Sequence, residues 1–203
     1  YFKKVQPDFA FHLAAQPLVI ESYNNPRETF ETNLMGTVNF FEAVKKTESV
    51  SVAINVTSDK CYQNNEWERG YREDDPMGGK DPYSSSKGCA ELITSSYLNS
   101  FFSDNNTCHI ASGRSGNVIG GGDWAENRIG PDLFRAIKKN EKLIIRNPKS
   151  TRPWQHVLEP LSGYLSLASN LYVHEKKFSG GWNFGPVHTN QHSVVDLVKS
   201  IIE

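Results

Sequence analysis

Three short apolar runs, Phe9 to Ala15, Val50 to Val56 and Thr107 to Gly113, alternate with two long amphipathic stretches. That alternation limits the possible folds more than any other feature of the chain. The short runs read as buried strands. The longer segments, Pro26 to Lys46 and Tyr83 to about Phe102, read as helices. The first puts Phe30, Leu34, Val38, Phe41 and Val44 on one stripe, and the second Ala90, Leu92, Ile93 and Tyr97. Strand, helix, strand, helix, strand predicts an α/β fold, a parallel sheet covered by helices. Right-handed crossovers then bring the strands' carboxyl ends to one edge of the sheet, where ligands bind. That edge would hold Ala14-Ala15, Thr57 to Lys60 and the segment from Gly113 onward.

Past residue 114 the composition changes, with Gly116, Gly120, Gly121, Gly122 and Gly130 in one irregular stretch. A short helix at Pro131 to Lys139, a strand at Lys142 to Arg146, a helix at Leu158 to Leu171, a strand at Gly181 to Phe184 and an unfinished helix at Ser193 to Ile202 follow. Two domains are expected. Residues 1–115 form the sheet domain, and residues 116–203 a smaller, interleaved substrate-binding lobe that closes over the sheet edge.

Chemistry concentrates in Thr57-Ser58-Asp59-Lys60, at the end of the second strand, and in Tyr83-Ser84-Ser85-Ser86-Lys87, which opens a helix after Asp81-Pro82. Residues four apart share a helix face, so the Tyr83 phenol and the Lys87 ammonium address one volume. A cation beside a phenol favours the phenolate, which can take a proton. Spacing alone proves little, because Tyr172 and Lys176 repeat it where a helix runs out into solvent. Position distinguishes the first pair. Asp59 beside Ser58 and Lys60 reads as half of an acid and base site, against the plainer reading of an ion pair that caps the strand. Arg114 and Asn117 follow the third strand and either hold a polar ligand or bond within the loop. Arg152, next to Pro153, suits a phosphate. Taken alone, His156 and His12 read as structural histidines.

A net charge of -1 with scattered lysines and arginines favours neither nucleic acid nor an anionic membrane surface. No apolar run reaches bilayer length. Cys61, Cys89 and Cys108 show no paired spacing, which suits a reducing compartment and a cytoplasmic location. His188-x-x-x-His192 lacks a nearby carboxylate or cysteine, so no metal is expected.

HLAA at 12–15, TNLMGT at 32–37, TSDKCY at 57–62, YSSSK at 83–87 and GRSGNVIGGGDW at 113–124 resemble the extended short-chain dehydrogenases/reductases. More narrowly, TSDKCY, GYREDDPMGGKDPYSSSKG, GNVIGGGDW and RPWQHVLEPL are similar to the CDP-glucose 4,6-dehydratase family. The resemblance implies a Rossmann-like doubly wound sheet and a lyase with retained NAD. Such an enzyme oxidises a sugar at C4, removes water across C5 and C6, and reduces C6. It also implies roles for single residues. Tyr83 and Lys87 would act at the C4 hydroxyl, Ser58 would hold that hydroxyl, Asp59 would be the acid for the C6 hydroxyl, and Lys60 would stand where a related branch has a glutamate base. Ala14, Ala15, Asn33, Thr57, Tyr83 and Lys87 would contact the cofactor. Arg114 and Asn117 would meet the nucleotide sugar, Arg152 its diphosphate, and His156 would lie in the same substrate site. The 26–46 and 83–102 helices would form a homodimer's four-helix interface. A 4-epimerase or a decarboxylase of the same superfamily, a non-catalytic nucleotide-binding protein, or an inactive fragment are the alternatives. The family's opening glycine-rich turn and NAD-selecting acidic residue are not among these residues, so the chain is expected to be part of a longer protein.

Overall fold

The computed structural model describes residues 1–103, 108–186 and 192–202. The chain runs α1 (Phe2–Val5), β1 (Phe9–His12), α2 (Val19–Asn24), α3 (Pro26–Phe30), a π-helical turn (Glu31–Met35), α4 (Gly36–Lys45) and β2 (Val52–Val56). A 3₁₀ turn (Asp59–Cys61), α5 (Pro82–Phe101), β3 (His109–Ser115), β4 (Val118–Ile119), α6 (Ile129–Lys139), β5 (Thr151–Arg152) and β6 (Gln155–His156) follow. The last elements are α7 (Leu158–His174), a second 3₁₀ turn (Glu175–Phe178), β7 (Gly180–Phe184), β8 (His192–Ser193) and α8 (Val194–Ile202). Two compact units result. The first is Tyr1–Ser115 with Leu161–Phe184, and the second is Gly116–Pro160 with Gly185–Glu203.

In the first unit β1, β2, β3 and β7 make a wholly parallel sheet in that order. Alternate residues face opposite sides of a strand. Ala10, Ala53 and Ile110 therefore line one face, packed against Phe41 and Val44 of α4 and against Phe102. Val52, Ile54 and Ala111 line the other face and meet Leu167, Ala168 and Leu171 of α7. Burial on both faces explains why the strands read as nearly continuous apolar runs.

β7 extends the sheet in the same direction as β2 and β3, but its helix lies on the opposite face from α4 and α5. The third crossover therefore has the opposite hand to the first two. Residues 116–160 of the second unit are inserted in it, so it is not the short strand, helix, strand unit from which the handedness rule derives. The return of Leu161–Phe184 also differs from the expectation that everything after residue 115 forms one lobe.

Three local expectations need correction. The expected single helix over 26–46 is broken by a π-helical turn, and its fully buried line is Thr29, Asn33, Thr37, Phe41 and Val44, while Phe30, Leu34 and Val38 are only half-buried. Side-chain hydrogen bonds account for the buried polar positions: Thr29 Oγ1 accepts from Gln16 Nε2 at 2.7 Å and donates to the Asn25 carbonyl at 3.1 Å, Thr37 Oγ1 donates to the Asn33 carbonyl at 2.8 Å, and Asn33 makes the bonds described below. On α5, Leu92 is 60 % exposed and its neighbour Glu91 is buried, so the inner stripe is partly polar. The strand expected at Lys142 to Arg146 is absent, and Ile144 in its middle is exposed. Flanking charges and the lack of a paired edge leave that segment irregular.

In the second unit β4 pairs in parallel with β6, and β5 pairs antiparallel with β8. Thr107 and His188 lie outside the described residues.

Candidate active site

At the end of β2 the chain passes through buried Thr57 and Ser58 into the 3₁₀ turn. Ser58 caps that turn. Its Oγ accepts from the Lys60 amide at 3.3 Å and donates to Asp59 Oδ1 at 3.1 Å. Lys60 Nζ lies 3.3 Å from Asp59 Oδ2, and both side chains keep substantial solvent access, 41 % and 29 %. The turn is thus a compact hydroxyl, carboxylate and ammonium group at the sheet's carboxyl edge.

α5 starts sharply for two reasons. Pro82 occupies its first turn, and the Asp81 side chain accepts from the Ser84 amide at 2.9 Å. Tyr83 and Lys87 follow one turn apart, 8 % and 6 % exposed. Gly88 brings the two halves together, because a methyl group there would come within 3.2 Å of the Cys61 carbonyl oxygen. The 3₁₀ turn thus packs directly on α5 beside Lys87. The same carbonyl accepts from the Gly78 amide at 2.8 Å, which ties the loop before α5 to the turn.

Asn33 fastens the helix start from the other side. Its Nδ2 donates to Ser86 Oγ at 2.8 Å and to the Gln16 carbonyl at 3.2 Å, and its Oδ1 accepts from the Gln16 amide at 2.8 Å. Ser86 in turn donates to the Tyr83 carbonyl at 2.7 Å. The π-helical turn that carries Asn33 fits the tendency of such turns to occur at functional sites.

Beneath the site runs a buried polar chain. Glu91, one turn beyond Lys87, accepts from Thr57 Oγ1, from Ser112 Oγ at 2.7 Å and from Arg114 Nη2 at 2.7 Å. Arg114 Nη1 donates to Tyr62 Oη at 2.7 Å and to the Glu73 carbonyl at 3.0 Å, and Tyr62 donates to Asn183 Oδ1 at 2.7 Å. Arg114 Nε is buried without a partner among the described residues. Gly181 makes room for this guanidinium.

Burial pushes the Lys87 ammonium down to about 8, and the Glu91 carboxylate works against that. His12, stacked on Phe40 with ring centres 5.0 Å apart, is lowered by burial and then by the charge of Lys87. Burial pushes the Tyr62 phenol up to about 12. For Arg114 burial is the largest influence and lowers its pKa, but the hydrogen bond and charge of Glu91 outweigh it, so the net shift is upward. A Lys87 poised near neutrality beside Tyr83 gives the helix start the means to move a proton.

The first unit therefore brings together Ser58, Asp59, Lys60, Tyr83 and Lys87. Ala14 and Ala15 follow β1 at the same sheet edge, with Ala14 exposed. Thr57 and Asn33 turn their side chains into the hydrogen bonds above, and Arg114 into the interior. Asn117, Arg152 and His156 belong to the second unit. There the Asn117 carbonyl accepts from the Gln155 amide at 3.0 Å, and exposed His156 accepts through Nδ1 from the Leu158 amide at 3.3 Å. Arg152 is half-buried, and its Nη1 donates to the Thr151 carbonyl at 2.8 Å. Tyr172, of the second Tyr-x-x-x-Lys spacing, is 59 % exposed. Glu91, Tyr62 and Asn183 escaped the sequence reading. The only signal for Glu91 was its place four residues after Lys87.

A parallel sheet whose strand-end hydroxyl and carboxylate meet a Tyr-x-x-x-Lys helix start defines a Rossmann-type fold of the short-chain dehydrogenase/reductase class. The family model described as GDP-mannose 4,6 dehydratase matches residues 1–181, and the chain belongs to that family. A CDP-glucose 4,6-dehydratase of Salmonella typhimurium is 54% identical over 201 residues, 97% of this chain and 56% of the relative. A CDP-paratose 2-epimerase of Salmonella typhi is 28% identical over 97% of this chain and 62% of its own length. The chain thus spans a little over half the length of these curated relatives. Among solved structures, Thermus thermophilus UDP-glucose 4-epimerase in complex with NAD superposes with a TM-score of 0.81 at 23% identity, covering 98% of this chain and 62% of that one. A Streptomyces venezuelae dTDP-glucose 4,6-dehydratase variant with NAD bound has a TM-score of 0.78 at 17% identity, covering 96% and 56%. These two likenesses concern the fold alone.

Proposed function

We propose that the complete protein is a nucleotide-sugar 4,6-dehydratase that converts CDP-glucose to its 4-keto-6-deoxy product with a retained NAD. The observation that carries this reading is the Asp59 carboxylate held between Ser58 and Lys60, packed against the helix start that bears Tyr83 and Lys87. The 54% identity to a CDP-glucose 4,6-dehydratase supports the choice of reaction and of nucleotide.

The residues present fit a dinucleotide. The Lys87 ammonium is nearly buried and has no hydrogen-bond partner among the described residues, which suits ribose hydroxyls, and Ala14 leaves only a methyl group at the end of β1. NAD, when bound, supplies the acceptor for the hydride from C4 and its donor to C6. Tyr83 takes the C4 hydroxyl proton, with the charge of Lys87 stabilising its phenolate. Ser58 Oγ holds that hydroxyl. Elimination then needs a base at C5 and an acid at the C6 hydroxyl, and the Asp59 and Lys60 pair supplies both. A proton passing from Lys60 Nζ to Asp59 Oδ2 leaves an amine that removes the C5 proton and a carboxyl that protonates the departing hydroxyl, so that water leaves.

In the second unit Arg152 faces the diphosphate, with Asn117 and His156 in the same substrate site, while Arg114 acts as an internal strut. The enzyme is cytoplasmic and a homodimer through the 26–46 and 83–102 helices. The half-buried Phe30, Leu34 and Val38 and the exposed Met35 and Leu92 support that interface. No helix among the described residues is long and apolar enough to cross a membrane. Asp59→Asn in the complete protein tests the reading. Loss of 4-keto-6-deoxy product is expected, whereas unchanged turnover would favour epimerisation over dehydration.

A further inference from the structure

We propose that the buried Glu91–Arg114 pair is a positioning device that registers the Ser58–Asp59–Lys60 turn against Tyr83 and Lys87. The pair grips the turn at both flanks. Glu91 accepts from Thr57, the residue before Ser58, and Arg114 Nη1 donates to Tyr62, the residue after Cys61. Glu91 itself sits on α5, one turn from Lys87, so the helix that carries the phenol and the ammonium also carries the anchor of the opposing turn. The two partners are 4 % and 6 % exposed and joined at 2.7 Å. Removing either one leaves an unpaired charge in the interior.

The packing around the pair is tight at Gly181, but a pocket opens beside it along α5. A cavity of about 250 Å³ borders Glu91, Thr94, Ser112, Arg114 and Gly181, so close apolar contact does not substitute for the hydrogen bonds at this end of α5. The surrounding charges add a second consequence. Lys87 is influenced by Glu91 on its own helix and by Cys61 in the turn, and it acts in turn on His12 at the end of β1. Asp59 and Lys60 lie in the turn packed beside it. Glu91 supports the protonated form of Lys87, and Arg114 neutralises Glu91. The pair therefore sets the field at Lys87 as well as the register of the turn.

The proposal rests on the dehydratase reading for its effect on turnover, so the test includes two readouts that need none. In the complete protein with ¹³Cε-labelled lysine, Glu91→Gln should move the Lys87 titration to lower pH, and Arg114→Met should move it to higher pH. The double variant should restore it. Arg114→Lys keeps the charge but not the fork, so it should leave the titration in place while amide exchange at Cys61 and Gly78 accelerates. It also keeps the test open where Arg114→Met does not fold. With CDP-glucose, Arg114→Lys and the double variant should lose kcat by on the order of 100-fold, the cost of small misplacement of reacting groups, with KM held. Shifts of one sign in both single variants, or unchanged exchange in Arg114→Lys, would overturn the proposal. Absence of turnover in the unsubstituted enzyme would instead sink the dehydratase reading, and the titration and exchange results would still decide the role of the pair.

Discussion

A methyl group added at Gly181 should unsettle the interior more than its size suggests. A Cβ there would lie 2.0 Å from Arg114 Nη2 and 2.4 Å from Cζ. The guanidinium cannot yield cheaply, because Nη2 is held by Glu91 and Nη1 by Tyr62 and the Glu73 carbonyl. Gly181→Ala therefore breaks the buried ion pair or strains it severely. Breaking such a pair costs about 3–5 kcal/mol. Glu91 keeps its bonds from Thr57 and Ser112, which points to the lower end, about 3 kcal/mol. Alanine at a backbone angle open to any residue returns about 0.4–1 kcal/mol by restricting the unfolded chain, and Gly181 is not among the positive-φ glycines. The net loss is about 2–3 kcal/mol, or a fall in Tm of about 4–12 °C for a protein of this size. Urea unfolding followed by tryptophan fluorescence measures it. Gly121→Ala is the control, since nothing lies within 4 Å of an added methyl there. A Gly181→Ala protein as stable as the parent would refute the argument that Arg114 is pinned.

Three further outcomes follow from the same geometry. Lys87 is lowered to about 8 from an ordinary 10.5, so the folded state binds fewer protons than the unfolded one between those values. Stability should rise with pH across that window by up to about 3 kcal/mol. Subtracting the pH profile of Lys87→Met isolates the effect, and a pH-independent difference would contradict it. Asn33→Ala removes three hydrogen bonds between the Gln16 backbone and Ser86 and should cost about 2–3 kcal/mol in denaturant unfolding. Tyr83→Phe should cut turnover by about 10²–10⁴-fold, measured by product formation.

The sheet was legible because its strands are buried on both faces, which leaves short apolar runs punctuated by polar residues at their carboxyl ends. The start of α5 was legible through Asp81 and Pro82, which are local signals. What escaped depends on contacts distant in sequence. The strand expected at Gly181 to Phe184 is present as β7, but only its pairing with β3, distant in sequence, puts it in the first unit's sheet. Glu91 gives no local signal beside Leu92, because its partners Thr57, Ser112 and Arg114 lie 34, 21 and 23 positions away. Arg114 read as either a ligand-holding or a loop-bonding residue at the end of the third strand, and strand alternation turns it toward α5 instead. The helix over 26–46 was read from its apolar stripe, although its innermost line begins Thr29, Asn33, Thr37, which no hydrophobic pattern detects.

If the complete protein is the proposed dehydratase, hydrogen removed from sugar C4 returns at C6 after water has left. Incubating the complete protein with CDP-glucose deuterated at C4 tests it most directly. Mass spectrometry and NMR of the product should find a 4-keto sugar with the deuterium in its C6 methyl group. Deuterium retained at C4 of an epimerised hexose, or no product at all, would contradict the account.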